Sequence, residues 1–314
     1  MTPHKFLRHE NILALLLVLA LFVSANLSDR FFTLDNLLNQ GRMMTEAGII
    51  AIAMTFVIIS GGIDLSVGSI IGLSAIVLGM AWKNLGLPLP LAILCALLTG
   101  GVCGMINGFV IIKSRMPPMI ATLGTLALFR GLAEGISQAR SVRGYPEWFY
   151  TLGQGEVFGI PTQLWIFTLL AVMGLVILGY TTFGRVTYAV GANETAARFS
   201  GMPVERTKFW IYTASGLMSG LAACIFVSRV STTRSDMGTG IEMDVISAVV
   251  LGGTSIFGGK GSVSGTVLGL LLIQTMKNGL TLAGIKGDGT IIVIGTILIL
   301  TILASNLFDR FRTT

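Results

Sequence analysis

The feature that most limits how this chain can fold is a succession of long, uncharged, apolar runs. A helix needs about 20 mostly apolar residues to cross the hydrocarbon of a bilayer. Ten candidate runs can be drawn, at 11–28, 47–63, 65–82, 89–112, 117–137, 157–180, 209–228, 245–257, 263–276 and 289–308. Apolar residues make up 53% of the 314 and charged residues only 11%, with a mean hydropathy of +0.82. Water-soluble domains do not approach that balance. The expected fold class is therefore all-α: a polytopic membrane helical bundle of about ten transmembrane helices, forming one domain over residues 1–314. Its 40 glycines fit that expectation, because small residues let membrane helices approach closely.

Several function classes fall away on composition. The formal charge of +6 comes from Lys and Arg scattered between apolar runs, a topogenic pattern rather than a nucleic-acid footprint. Cys95, Cys103 and Cys224 lie inside apolar runs with no C-x-x-C spacing and no histidine nearby, so they suit packing. His4 and His9 are both in the N-terminal tail, which leaves nothing for a His-based metal site or a Ser-His-Asp triad within the membrane. No G-x-x-x-x-G-K-[ST] phosphate loop occurs. The chain is expected to be no enzyme and to carry no cofactor, and any ATP hydrolysis has to come from elsewhere.

An even number of spans puts both termini on one side of the membrane. Lys5, Arg8, Arg310 and Arg312 argue that this side is cytoplasmic. The hydrophilic stretch 182–208, with Arg185, Arg198, Arg206 and Lys208, falls on the same side. A competing account of the first run is a signal peptide, with Lys5 and Arg8 before the apolar core and Val23-Ser24-Ala25 as a cleavage site.

Three segments interrupt the apolar pattern. Ser60-Gly61-Gly62-Ile63-Asp64-Leu65-Ser66 places glycines and one acid between two runs, where a helix breaks at membrane depth. Asp64 either caps the amides of Ser66 and Val67 at the next helix start or lines a solute path or gate, as membrane carboxylates often do. Both can hold at once.

The runs 245–257 and 263–276 are too short to span unaided and are joined by glycines at 252, 253, 258, 259 and 261. They suit close packing or broken helices lining a cavity. Candidates for the translocation path or its gate are Gly61, Gly62, Asp64, Ser66, Asn107, Gly252 and Gly253. Gly100, Gly104 and Gly108 repeat on one helix face beside Asn107, a packing pattern in which the Asn107 amide could also face a channel. Arg130 and Glu134, four apart, are expected to pair near the outer end of the fifth span or to serve an outer gate.

The third interruption is Gly191-Ala192-Asn193-Glu194-Thr195-Ala196-Ala197-Arg198-Phe199-Ser200-Gly201-Met202-Pro203. Asn193 is placed to cap a short helix, Gly201 to end it and Pro203 to prevent its continuation. Such a helix is either a connector on the membrane surface or, with its small Ala196-Ala197 pair, an insert for a partner's groove.

The filled pattern Gly191, Asn193, Ala196, Ala197, Gly201 resembles the cytoplasmic loop of permeases in the ribose, arabinose, xylose and autoinducer-2 class of bacterial ATP-binding-cassette importers. The segments 61–69, 249–253 and 258–262 resemble the same family, as do Gly104-Met105-Ile106-Asn107-Gly108 and Ala121-Thr122-Leu123-Gly124-Thr125.

The resemblance implies an inner-membrane permease with a fold close to that of vitamin-B12 importers. It implies as partners a second permease chain, identical or paralogous, a cytoplasmic ATP-binding subunit that supplies ATP and Mg, and a periplasmic sugar-binding protein. It also implies that Asn193, Glu194, Ala196, Ala197, Arg198 and Gly201 belong to a coupling helix docking into the ATPase. The solute stays open among a pentose, a deoxyhexose and autoinducer-2. The rival is an ion-coupled secondary transporter or channel, which usually places several ionisable groups at the midplane, whereas here only Asp64 stands clearly between two runs. A polytopic enzyme is disfavoured by the missing histidines and paired carboxylates.

Overall fold

A computed structural model describes residues 6–285 together with 287, 289, 292, 293, 295 and 296. The tenth run, 289–308, and the terminal residues Lys5, Arg310 and Arg312 fall wholly or largely outside the described residues. Within them the chain is helical almost throughout. The elements are α1 Phe6–Leu27, α2 Leu34–Ile59, α3 Val67–Lys83, α4 Leu89–Ser114, α5 Pro118–Ser137, strand β1 Val142–Arg143 and α6 Glu147–Gln154. They continue as β2 Glu156–Val157, β3 Ile160–Pro161, α7 Thr162–Tyr180, α8 Thr182–Ala192, α9 Glu194–Phe199, α10 Val204–Val230, β4 Thr232–Thr233, α11 Ile241–Leu251 and α12 Val263–Leu282.

Five of these helices, α2, α4, α5, α7 and α10, are long and apolar enough to cross a membrane. Their surroundings differ. From Ile49 to Ile59 every residue of α2 is buried, as expected of a helix apolar all round and placed at the centre of a bundle. In contrast α4, α5 and α7 present outward faces of large apolar side chains, such as Leu94, Phe109, Leu123, Leu128, Leu169 and Val172. A face of that kind suits lipid.

The tightest helix pair is α4 with α10. A Cβ added at Gly100 would stand 2.3 Å from the Gly216 carbonyl oxygen, and one at Gly104 would stand 2.3 Å from that of Tyr212. Backbone is thus packed on backbone, which only glycine permits. Cys103 and Cys224 are buried and free. At the other side of α2, reciprocal amide bonds at 3.0 Å join Asn36 to Asn278, and Gln274 donates to Gln40 at 2.8 Å. Helix α1 lies along α12: Leu13 is buried, and Ser24 fills the space beside Gly279. Glu10 accepts hydrogen bonds from the hydroxyls of Ser262 and Ser264. The first run is thus seated in the bundle as one of its helices.

Several expected boundaries move. The second run begins at 47 by composition, yet α2 starts at Leu34 and carries Asp35, Arg42 and Glu46. Charge does not stop the helix because partners neutralise it: Arg229 Nε donates to Glu46 Oε1 at 2.7 Å, and Arg42 meets Glu156 at 2.5 Å. The sixth run loses 157–161 to the β2–β3 hairpin, whose strands pair Glu156 with Pro161 and Val157 with Ile160. The hydrophilic stretch 182–208 is itself helical: it holds α8, α9 and the first turn of α10. Helix α11 stops at Leu251, so the eighth run is a broken helix, while the ninth extends six residues beyond 276 as α12.

Candidate functional site

Residues 60–66 break the chain between α2 and α3, and the break is organised around Asp64, which is fully buried. Its Oδ1 accepts from the Ser66 amide at 3.0 Å and the Ser66 hydroxyl at 2.7 Å, and its Oδ2 accepts from the Ser215 hydroxyl of α10 at 3.0 Å. Asn107 of α4 gives Nδ2 to Ser66 Oγ at 2.8 Å and approaches Asp64 Oδ1 at 3.5 Å. Among the described residues the Val67 amide makes no bond to Asp64, so only half of the expected cap forms. The carboxylate serves instead as the centre of a knot joining the break to α4 and α10. Helix α5 ties in as well: Thr122 Oγ1 donates to the Ile63 carbonyl at 3.0 Å. None of these donors is cationic. A buried carboxylate without a counter-charge persists only when its oxygens are well supplied with donors.

Beside the knot, the Tyr212 hydroxyl lies where a Gly62 Cβ would be, 2.2 Å from that position. Gly62 is thus needed for the fit of α10 against the break. At Gly61 the backbone takes φ +82°, a left-handed turn that glycine adopts without strain.

Gly61 also belongs to a second meeting point. A Cβ at Gly191 would fall 1.7 Å from the Ile59 carbonyl oxygen and 2.6 Å from the Gly259 nitrogen, and one at Gly258 would fall 3.0 Å from Gly61 Cα. The Gly259 amide donates to the Ile59 carbonyl at 2.9 Å. Three segments therefore join through bare backbone: the break after α2, the last turn of α8, and the loop after α11. Gly252 is not part of this junction. It rests on α12, where its Cβ would stand 2.5 Å from the Gly265 carbonyl oxygen, and Gly253 turns the chain with φ +86°. The glycines after α11 thus break the helix and pack backbone closely on α8 and α12.

Helix α9 has the caps expected. Asn193 Oδ1 accepts from the Ala196 amide at 2.9 Å, Gly201 takes φ +77°, and Pro203 stands immediately before α10. Ala196 is exposed, but Ala197 is buried with Val190 and Val204. Glu194 accepts from Lys208 Nζ of α10 at 2.5 Å, and Arg198 reaches Glu194 at 3.3 Å and Glu205 at 3.0 Å. The helix is thereby clamped to the first turns of α10, the same helix that supplies Ser215 to Asp64.

Arg130 departs from expectation. It turns inward and donates to the carbonyls of Gly68 at 3.2 Å, Met237 at 3.2 Å and Ser235, while Glu134 stays exposed. Carbonyls in the irregular segment after β4 lack helical partners, and a guanidinium fork can satisfy several at once. In that same loop, the Arg234 guanidinium bonded to Asp236 holds the Asp236 carboxyl below the usual carboxylate range. Sequence inspection also misses Ser215 and Tyr212, which look like ordinary residues of an apolar span.

A bundle of apolar helices with clamped breaks, in which five helices are long enough to cross a membrane, is that of a polytopic helical membrane protein. Residues 36–302 match the family described as "Branched-chain amino acid transport system / permease component", and the chain belongs to that family. Over 300 residues it is 38% identical to the autoinducer 2 import system permease protein LsrD of Escherichia coli (strain K12), covering 94% of this chain and 91% of that protein. The identity is also 38% over 306 residues to the ribose import permease protein RbsC of Haemophilus influenzae, covering 96% of this chain and 94% of that one. No solved structure matches the chain.

Proposed function

We propose that this chain is the transmembrane permease subunit of an ATP-binding-cassette importer for a sugar-like solute, a pentose, a deoxyhexose or autoinducer-2. The single observation that carries this is α9: a capped helix held by ion pairs to α10, in a chain 38% identical to import permeases along nearly its whole length. In this reading the chain forms one domain of ten spans in the inner membrane, with both termini cytoplasmic and a fold of the vitamin-B12-importer kind. A second permease chain completes the passage, a periplasmic binding protein delivers the solute, and ATP and Mg are held by a cytoplasmic subunit.

Docked through α9, that subunit would move Glu194 and Arg198 and, through Lys208, the helix α10. Alternating access then follows from rigid helices shifting about the breaks at Gly61–Gly62 and Gly252–Gly253. Asp64, Ser66 and Asn107 would act by fastening the first break to α4 and α10. Their burial inside one chain favours that role over direct contact with solute.

The test is copurification of an ATP-hydrolysing subunit from native membranes, repeated with Ala196→Arg. Ala196 is the position to use, because Ala197 is buried and its replacement would disturb the fold. Loss of the subunit from a folded Ala196→Arg variant is the expected result. If none copurifies with wild type and the chain alone drives solute uptake on an ion gradient, the ion-coupled transporter takes its place.

A further inference from the structure

Two phenylalanines stand out on the side of the molecule that carries α9. Phe199, at the end of α9, is 89% exposed, and Phe257, in the loop after α11, is 88% exposed. Phe257 is not on a loose strand. Ser255 N donates to the Lys260 carbonyl at 3.0 Å and Gly258 N to the Ser255 carbonyl at 2.9 Å, closing a tight turn. The turn is fastened to the bundle, since Gly259 N donates to the Ile59 carbonyl and the Tyr188 hydroxyl donates to the Gly261 carbonyl at 2.7 Å. A Cβ on Gly259 would lie 2.8 Å from Ala192 Cα, the residue just before the Asn193 cap. The turn is therefore built onto the base of α9 and holds an aromatic ring outward from there.

We propose that residues 255–261 form a second docking element for the ATP-binding subunit, continuous with α9, in which Phe257 enters an apolar pocket of that subunit. The proposal rests on α9 being the coupling helix. Its support is continuity: the turn that carries Phe257 packs at Gly259 on Ala192, the residue before the α9 cap, and it presents the exposed Ile256, Phe257 and Lys260 together, an apolar pair beside a cation. A rigidly presented, exposed aromatic is the kind of anchor on which binding hot spots are built.

Because the turn is bonded to Ile59, force applied at Phe257 reaches the α2–α3 break without passing through α10. Docking at two points would thus grip the break from both sides, through Lys208 and Ser215 on one and through Gly259 on the other.

The photo-crosslinker p-benzoylphenylalanine placed at 257, at 199 and at 158 in the full chain, expressed in native membranes, tests this. Phe158 is 94% exposed in the β2–β3 hairpin, which meets α2 at the end away from Ile59, and serves as the control. The expected result is a crosslink from 257 and from 199 to a subunit whose peptides contain a G-x-x-x-x-G-K-[ST] loop, with none from 158. Phe257→Ala should weaken retention of that subunit about tenfold or more, as loss of a seated aromatic anchor does. A crosslink from 199 with only lipid adducts or none from 257 would overturn the proposal and leave the coupling helix standing, and so would undiminished retention by Phe257→Ala. Failure at both 199 and 257 would overturn the two together.

Discussion

Ser215 donates its hydroxyl to Asp64 Oδ2 at 3.0 Å, and through this bond α10 holds the break between α2 and α3. Both side chains are fully buried, so no water stands ready to replace either partner. Ser215→Ala should therefore leave a carboxylate oxygen short of a donor, at a cost of about 1–3 kcal/mol. Thermal unfolding of the purified chain in detergent measures it. Ser215→Thr, which restores a hydroxyl, should recover part of the loss, and Cys224→Ala serves as a reference for small-residue change on the same helix.

The pair Glu194–Lys208 ties α9 to α10. Glu194 is 44% exposed at its side chain but Lys208 only 11%, so solvent screens the carboxylate while the ammonium depends on it for a partner. Glu194→Lys should accordingly lower thermal stability by about 1 kcal/mol or more, because it sets a cation against Lys208 and Arg198, and lower solute uptake as well. The double exchange Glu194→Lys with Lys208→Glu should restore uptake in part. An uptake assay in cells alongside unfolding of purified protein gives both readouts.

Glycine replacements should divide sharply by location. Gly191→Ala drives a methyl group into the Ile59 carbonyl and the Gly259 amide, both backbone and unable to yield. Destabilisation of about 2 kcal/mol or more is expected, or failure to accumulate in the membrane. Gly124→Ala and Gly131→Ala meet nothing within 4 Å and lie on α5, where alanine suits a helix better than glycine. These two should be neutral or slightly stabilising by the same unfolding assay.

Arg130 and Glu134 make a paired prediction. Arg130→Gln removes a fork that reaches three carbonyls, and a loss of about 2 kcal/mol is expected from its charge-assisted bonds. Lys in its place should recover little, since an ammonium cannot span the same acceptors. Glu134→Ala should change stability by less than about 0.5 kcal/mol, as for an exposed surface residue. Equal effects at the two positions would point instead to an ion pair between them.

Composition and local pattern determined the helical class, and five of the apolar runs are met by helices long and apolar enough to cross a membrane, because apolar length is a property of consecutive residues. The caps of α9 were equally legible: Asn193, Gly201 and Pro203 act within a turn of where they stand. The breaks at Gly61 and Gly252 showed in the chain for the same local reason.

Only the tertiary structure decided what those features touch. Helix α2 runs through Arg42 and Glu46, whose charges Glu156 and Arg229, distant in the chain, neutralise. Asp64 became the hub of a buried knot through Ser215, 151 residues away. Arg130 left its i+4 neighbour for the carbonyls of Ser235 and Met237 in the loop after β4 and of Gly68 in α3. Charge neutralisation, the filling of buried hydrogen-bond capacity and backbone contact between glycines all depend on which segments meet in space, and that is settled by packing of the whole bundle.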